Sequence, residues 1–156
     1  MSAQPEDADI VICSIKILSD LLYKQYNKKV VILIDEYDVP LENAWFSGFY
    51  DNMIGFIRSV FESALKTNPC LEFSVVTGCL RITKESIFTG LNNLKMISIL
   101  SRSYDEYFGF TQKEVDRMLQ YYNLDTKRDQ IKQWYDGYMF GDTEVYNPWS
   151  VANYVD

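Results

Sequence analysis

Five apolar residues, Val30-Val31-Ile32-Leu33-Ile34, run without a break into Asp35-Glu36. A short, mostly β-branched run of this kind suits a strand buried on both faces of a parallel sheet. The two acids then stand at its carboxyl end, where parallel sheets gather their ligands. There the first acid can hold Mg²⁺, usually through water, and the second can orient or deprotonate an attacking water. Any buried strand that ends in a solvated loop can also show two acids, so the rest of the chain has to supply the context. Asp38 and Glu42 add carboxylates nearby, which fit equally a solvated loop and the start of a helix.

The surrounding pattern alternates helix and strand. Met1 to Asp9 reads as a loose lead-in, and Ile10, Ile15, Leu18, Leu21 and Leu22 then recur at helical spacing up to Asn27-Lys28. After the first strand, Met53, Phe56, Ile57, Val60, Phe61 and Ala64 trace one stripe of a helix over 49–65, which Asn68-Pro69 stops. Leu71–Thr77 is a second strand closed by Gly78, and Lys95–Leu100 is expected to be a third, with a short helical stretch around Ser86-Ile87-Phe88 between them. This order predicts right-handed crossovers and an α/β fold with a parallel sheet and flanking helices. Beyond Ser103, Thr111-x-x-Glu114 is a capping box, Asp125 can cap a helix that ends at Gly137, and Asn147-Pro148 places a cap and an N1 proline before a last helix. The expected organisation is a lead-in at 1–9, an α/β core at 10–103 and a helical subdomain at 104–156.

Composition narrows the chemistry. The 156 residues contain no histidine, which excludes a Ser-His-Asp triad, an imidazole base and His-ligated zinc. A net charge of −7 disfavours non-specific attraction to nucleic acid or anionic membrane. Cys13, Cys70 and Cys79 are widely spaced and lack a C-x-x-C pair, so reduced thiols in a cytoplasmic protein fit better than disulfides or a metal cluster. No apolar run approaches the ~18 residues of a membrane span. Tyrosines and tryptophans crowd the second half, where core packing accounts for them better than a base-stacking surface.

Polar groups stand at two strand ends, Asp35-Glu36 and Thr77-Gly78, and a parallel sheet would turn both toward one crevice. Thr77 could then touch a phosphate or the attacking water, Gly78 lets the backbone turn closely, and Arg81 can reach phosphate charge. A strand-ending Thr is also common, and Arg81 with Glu85 can be a local helix pair. Arg81, Lys84, Lys95 and Arg102 outnumber Glu85 between Cys79 and Ser103, a balance that suits either a nucleotide site or a nucleic-acid reader. A carboxylate-metal nuclease built on Asp35, Glu36 and Asp38 is the weaker alternative. A PD-(D/E)XK site would want Lys two residues after its second acid, where Asp38 stands.

The segments VVILIDEYDVPL (30–41), TGCLRITKESIFTGLNNL (77–94), YFGFTQKEV (107–115), WYDGYMFG (134–141) and VYNPWSV (145–151) follow one another in this order. Together they closely resemble the AAA-ATPase-like family of bacterial and archaeal proteins, P-loop NTPase relatives often joined to a carboxy-terminal PD-(D/E)XK nuclease-like domain. The resemblance covers nearly the whole chain from about Ile10. It implies a partial P-loop NTPase-like sheet, with Asp35 as the Walker B magnesium residue, Glu36 as the catalytic acid-base and Thr77 in a sensor-like role. Arg81, Lys84, Glu85 and Ser86 also match the family's pattern, and ATP with Mg²⁺ are the implied cofactors. The WYDGY and NPW segments are left with structural roles.

The sequence departs from the family in one respect. None of its seven glycines is followed by Lys, so the Walker A cradle of backbone N–H groups and a lysine is missing. The chain is therefore expected to be part of a longer ATPase, short of an upstream P-loop segment and a downstream nuclease-like domain, and inactive by itself. The alternative is a non-catalytic protein-interaction module that keeps the scaffold. In either case a first strand without its neighbour would leave an apolar edge that invites self-association.

Overall fold

The computed structural model describes residues 5–79, 87–88, 90–91, 94–135 and 137–155. The chain divides into two compact units, residues 1–94 and 95–156.

The first unit starts with helix α1 (Pro5–Tyr26), which hands over to strand β1 (Val30–Ile34) through Asn27, a residue that tolerates the left-handed φ of 50° it adopts. Helices α2 (Val39–Phe46) and α3 (Tyr50–Phe61) follow, α3 runs into a π-turn (Glu62–Lys66), and strand β2 (Leu71–Val76) closes the unit's sheet. Strands β1 and β2 pair in parallel as expected, with Val31 opposite Phe73 and Leu33 opposite Val75. The register slips between Val30 and Val31, and Glu72 is the residue passed over. The stripe expected on α3 faces inward except at Phe56, which is exposed. Ile57, Phe61 and Ala64 are buried, and Ile57 and Phe61 form with Tyr37, Leu41, Ile87, Phe88 and Leu91 the core against which Ile34 and Val76 pack.

Two apolar surfaces of this unit have no cover among the described residues. On the outer face of the sheet Val31, Leu33, Phe73 and Val75 are 47, 73, 53 and 45 % exposed and form two cross-strand pairs side by side. The strand expected to be buried on both faces is thus buried on one. On α1 the stripe expected from the sequence faces outward at four of its five residues. Ile10, Leu18, Leu21 and Leu22 are exposed, together with Val11 and Ile17, while Ile12, Ile15 and Ser19 turn inward. The Ser19 hydroxyl satisfies itself on the Ile15 carbonyl at 2.7 Å. A helix apolar on more than one side does not reveal from its own sequence which side meets the core.

The expected third strand is absent. Residues 95–98 have no regular structure and 99–100 lie in a turn. Serines are the physical reason: Ser101 N donates to the Ser98 carbonyl, Ser98 N to Ser101 Oγ, and Leu100 N to Ser98 Oγ. Local side-chain bonds of this kind take the backbone groups that a sheet ladder would need.

The second unit holds more than helices. Strand β3 (Phe110–Thr111) leads into helix α4 (Gln112–Tyr121), a 3₁₀ turn (Asp125–Lys127) and helix α5 (Arg128–Trp134) follow, and strands β4 (Tyr138–Phe140) and β5 (Thr143–Tyr146) precede helix α6 (Pro148–Val155). The strands form an antiparallel sheet in the order β3-β5-β4, where the sequence reading had only helices. The helix starts expected at Thr111 and Asn147 are in place, whereas Asp125 opens a 3₁₀ turn and caps nothing, α5 beginning only at Arg128. Glu114 accepts from the Thr111 N–H at 2.8 Å, and Asn147 Oδ1 accepts from Ser150 N at 3.2 Å ahead of Pro148. Val115, Leu119, Ile131, Tyr146 and Val151 make this unit's core.

The WYDGYMFG segment acquires a structural account here. Gly137 lies against Glu144, where a Cβ would come within 2.5 Å of its Cγ. Gly141 takes a φ of +53° at the first position of the two-residue β4–β5 turn, where type II′ hairpins need glycine. The hairpin tip is tied down by Gly141 N to the Ile99 carbonyl at 2.7 Å and by the Arg102–Asp142 ion pair at 2.8 Å.

Candidate functional site

The site lies where β1 and β2 end side by side. Because the strands are parallel and in register to Ile34 and Val76, the next residues, Asp35 and Thr77, leave the ladder at the same point. Their side chains meet: the Thr77 hydroxyl donates to an Asp35 carboxylate oxygen. Asp35, Glu36, Thr77 and Gly78 are all exposed to solvent. Arg81 lies outside the described residues, as do Lys84, Glu85 and Ser86.

The backbone around them is pinned twice at one residue. Thr77 N donates to the Ile34 carbonyl at 2.8 Å, and the Thr77 carbonyl accepts from Tyr37 N at 3.0 Å. Between those anchors Glu36 adopts a left-handed conformation, φ 51°, which only glycine enters without a penalty. The chain then turns directly into α2, with the Asp38 carbonyl accepting from Leu41 N and Glu42 N at 3.0 Å each. Pro40 in the first turn of α2 suits the same entry.

Tyr37, which the sequence reading passed over, and Asp38, which it named only as a nearby carboxylate, pack beneath these residues. Tyr37 is buried, with its ring 5.2 Å from that of Phe88 and 6.4 Å from that of Phe61. Asp38, for which a solvated loop and a helix start were equally open, stands at the start of α2 and is also buried. Both press against Gly78, where a Cβ would stand 2.5 Å from Tyr37 Cε1 and 2.8 Å from Asp38 Oδ1. Gly78 is therefore required by protein packing, whatever ligand approaches its other side. A glycine closing the strand expected at Leu71–Thr77 was the available signal for that close approach.

Among the described residues, no three Asp, Glu or Cys side chains gather at metal-binding spacing. Asp35 and Thr77 offer one carboxylate and one hydroxyl, hard oxygen donors of the kind Mg²⁺ takes when it keeps most of its waters and is shared with phosphates. That donor set fits a magnesium ion carried by a nucleotide better than a protein-only cage. A cavity of 350 Å³ opens instead at the α2–α3 junction, lined by Trp45, Gly48, Phe49, Tyr50, Asp51 and Asn52. These are near neighbours in sequence from one helix junction, so the strand ends remain the site where chemistry-bearing groups from two strands meet.

The family model described as Predicted AAA-ATPase matches residues 6–88, more than half of the chain. The chain belongs to the AAA-ATPase-like family. An uncharacterized protein in the vnfD 5′ region of Azotobacter chroococcum mcd 1 is 33 % identical over 125 residues, covering 80 % of this chain. The chain spans 24 % of that relative's length. No solved structure matches. The fold is thus assigned at the level of mixed α/β with a small parallel sheet. Among the described residues no helix is long and apolar enough to cross a membrane.

Proposed function

We propose that this chain supplies the Walker B and sensor-like side of an ATP site in a longer AAA-ATPase-like protein. The observation that carries the reading is the meeting of Asp35 and Thr77 at the carboxyl ends of a parallel strand pair, with Glu36 next in the chain. In this reading Asp35 holds the magnesium of a bound nucleotide, which when present supplies charge neutralisation at the β- and γ-phosphates. Glu36 accepts the proton of the attacking water, and Thr77 orients Asp35 by its hydroxyl and contacts the water or phosphate. Arg81 is proposed to face phosphate charge, with Gly78 in the adjoining turn.

The grip on the phosphates belongs, in this reading, to an upstream P-loop segment, since no glycine of this chain precedes a lysine. A downstream nuclease-like domain and a cytoplasmic setting belong to the same proposal. The chain alone should bind Mg-ATP very weakly and show no phosphate release above background. Joined to its upstream segment it should turn over ATP, and Glu36→Gln should lower turnover while sparing nucleotide binding, because a carboxamide keeps the shape without accepting a proton. Strong ATPase activity of this chain alone, or full activity of the longer protein carrying Glu36→Gln, would overturn the reading.

The bare outer sheet face favours a second reading, an interaction module that keeps the scaffold without catalysis. A longer protein that binds no nucleotide but holds a protein partner through Leu33 and Phe73 would favour it.

A further inference from the structure

The two backbone bonds at Thr77 do not match a regular parallel ladder. In such a ladder Thr77, opposite Asp35, would take the Ile34 carbonyl on its N–H and offer its own carbonyl to Glu36 N. The first bond is present, but the Thr77 carbonyl accepts from Tyr37 N instead. One extra residue is therefore taken up on the β1 side, and Glu36, at φ 51°, is that residue. The strand pair ends in a bulge, a device that re-aims side chains next to functional sites.

Bulges with a left-handed residue normally place glycine there. A glutamate held in that conformation carries strain that the surroundings must impose. Asn27 and Asn123, also at positive φ, are of a type that adopts it readily, whereas Glu36, like Tyr104 in the second unit, is not. The residue one position on is held at several points. The Tyr37 ring lies against Phe61 and Phe88 on one side and Gly78 on the other, while its N–H is fixed on Thr77. A residue anchored at both its ring and its amide leaves the preceding peptide no slack.

We propose that Tyr37 is a positioning residue: with its amide on the Thr77 carbonyl and its ring lodged beside Gly78, it keeps Glu36 in the left-handed bulge and so presets the direction of the Asp35-Glu36 pair before any ligand arrives. The functional meaning rests on the reading of Glu36 as the acid-base. The mechanical claim does not, and it is tested without nucleotide.

The test is a double-mutant cycle in urea on the full chain, with the φ of residue 36 followed by its three-bond HN–Hα coupling and intraresidue NOE. Glu36→Gly should lower the unfolding equilibrium constant roughly fivefold, because glycine carries little of the left-handed penalty. In the Tyr37→Ala background the same change should give no gain, and residue 36 should leave positive φ. Tyr37→Phe, which keeps the ring, should restore both the gain and the positive φ. A tyrosine that merely filled the core would lower stability in Tyr37→Ala yet leave the fivefold gain intact, and that result would overturn the proposal. So would a Glu36→Gly chain no more stable than the parent sequence. If Tyr37→Ala does not fold, Tyr37→Leu takes its place, with the same two outcomes. Failure of this cycle leaves the ATPase reading standing, since that reading falls only on the turnover of Glu36→Gln.

Discussion

Adding one methyl group at Gly78 tests how tightly the two strand ends are packed. The new Cβ would lie 2.5 and 2.7 Å from Tyr37 Cε1 and Cδ1 and 2.8 Å from Asp38 Oδ1, against the roughly 3.5–4 Å of an unstrained carbon contact. The ring would have to retreat by about 1 Å, toward Phe61 and Phe88, which are both buried. Overpacking of this kind costs typically ~1–3 kcal/mol, and with both a buried ring and a buried carboxylate obstructed we expect Gly78→Ala near the top of that range. At a urea dependence of about 1.5 kcal/mol per molar, the midpoint would fall by roughly 2 M. The assay is urea unfolding with amide exchange read at β1 and β2, so that the first unit is observed directly. Two other glycines make internal controls. Gly55, exposed inside α3 with nothing within 4 Å of its added Cβ, should gain about 1 kcal/mol as alanine. Gly48 has equal space but a φ of +78°, so alanine there should cost about 1 kcal/mol. A Gly78→Ala chain within about 0.5 kcal/mol of the parent would refute the packing argument, because surface substitutions away from special features reach that figure on their own.

Leu33→Glu should leave monomer stability within about 0.5 kcal/mol, whereas Ile32→Glu, on the buried face of the same strand, should prevent folding of the first unit; circular dichroism separates the two, and sedimentation velocity should show less self-association of the Leu33→Glu chain than of the parent. The backbone and side-chain bonds from Thr111 hold the Glu114 carboxyl below its ordinary value near 4.5, so its contribution to α4 is full above that value and is lost as pH falls through the lower folded value. Glu114→Ala should accordingly cost a few tenths of a kcal/mol at pH 7, with the difference from the parent vanishing in strong acid on urea titration. Burial, together with the Asp20 carboxylate 3.2 Å away, pushes the Cys70 thiol up, while Cys79 is exposed. Maleimide at neutral pH should therefore label Cys79 well before Cys70, as peptide mass mapping would read.

What the sequence disclosed, and what it hid, follows the range of the forces involved. Val30–Ile34 was legible because a short apolar run bounded by Asp has few other uses, and Leu71–Val76 because its apolar residues lie between Pro69 and Gly78. Their parallel pairing followed from the helical stripe between them. The helix starts at Thr111 and Asn147 were legible because caps act within three residues. Lys95–Leu100 was misread because two serines, at 98 and 101, satisfy its backbone locally, an effect that apolar patterning ignores. The β4–β5 hairpin was missed although Tyr138–Phe140, Gly141-Asp142 and Thr143–Tyr146 carry a usable signal, two short runs around a two-residue turn. At the site, Asp35, Glu36 and Thr77 could be named from position alone. The bulge at Glu36 and the burial of Tyr37 and Asp38 could not, because they depend on which N–H reaches Thr77 and on where Phe61 and Phe88 sit.

The four side chains on the open side of the β1–β2 ribbon also set the conditions under which this polypeptide can be handled. With Val31, Leu33, Phe73 and Val75 facing water, what keeps two copies apart at neutral pH is their like charge, −7 on each. That repulsion reaches only about 10 Å at 0.1 M salt, and it disappears as the solution approaches the isoelectric point near 4.6. Purification by mild acidification, or storage in concentrated salt, would strip away the barrier and leave the sticky ribbon to govern the colloid, so a low-salt buffer well above pH 6 is the medium the molecule itself prescribes.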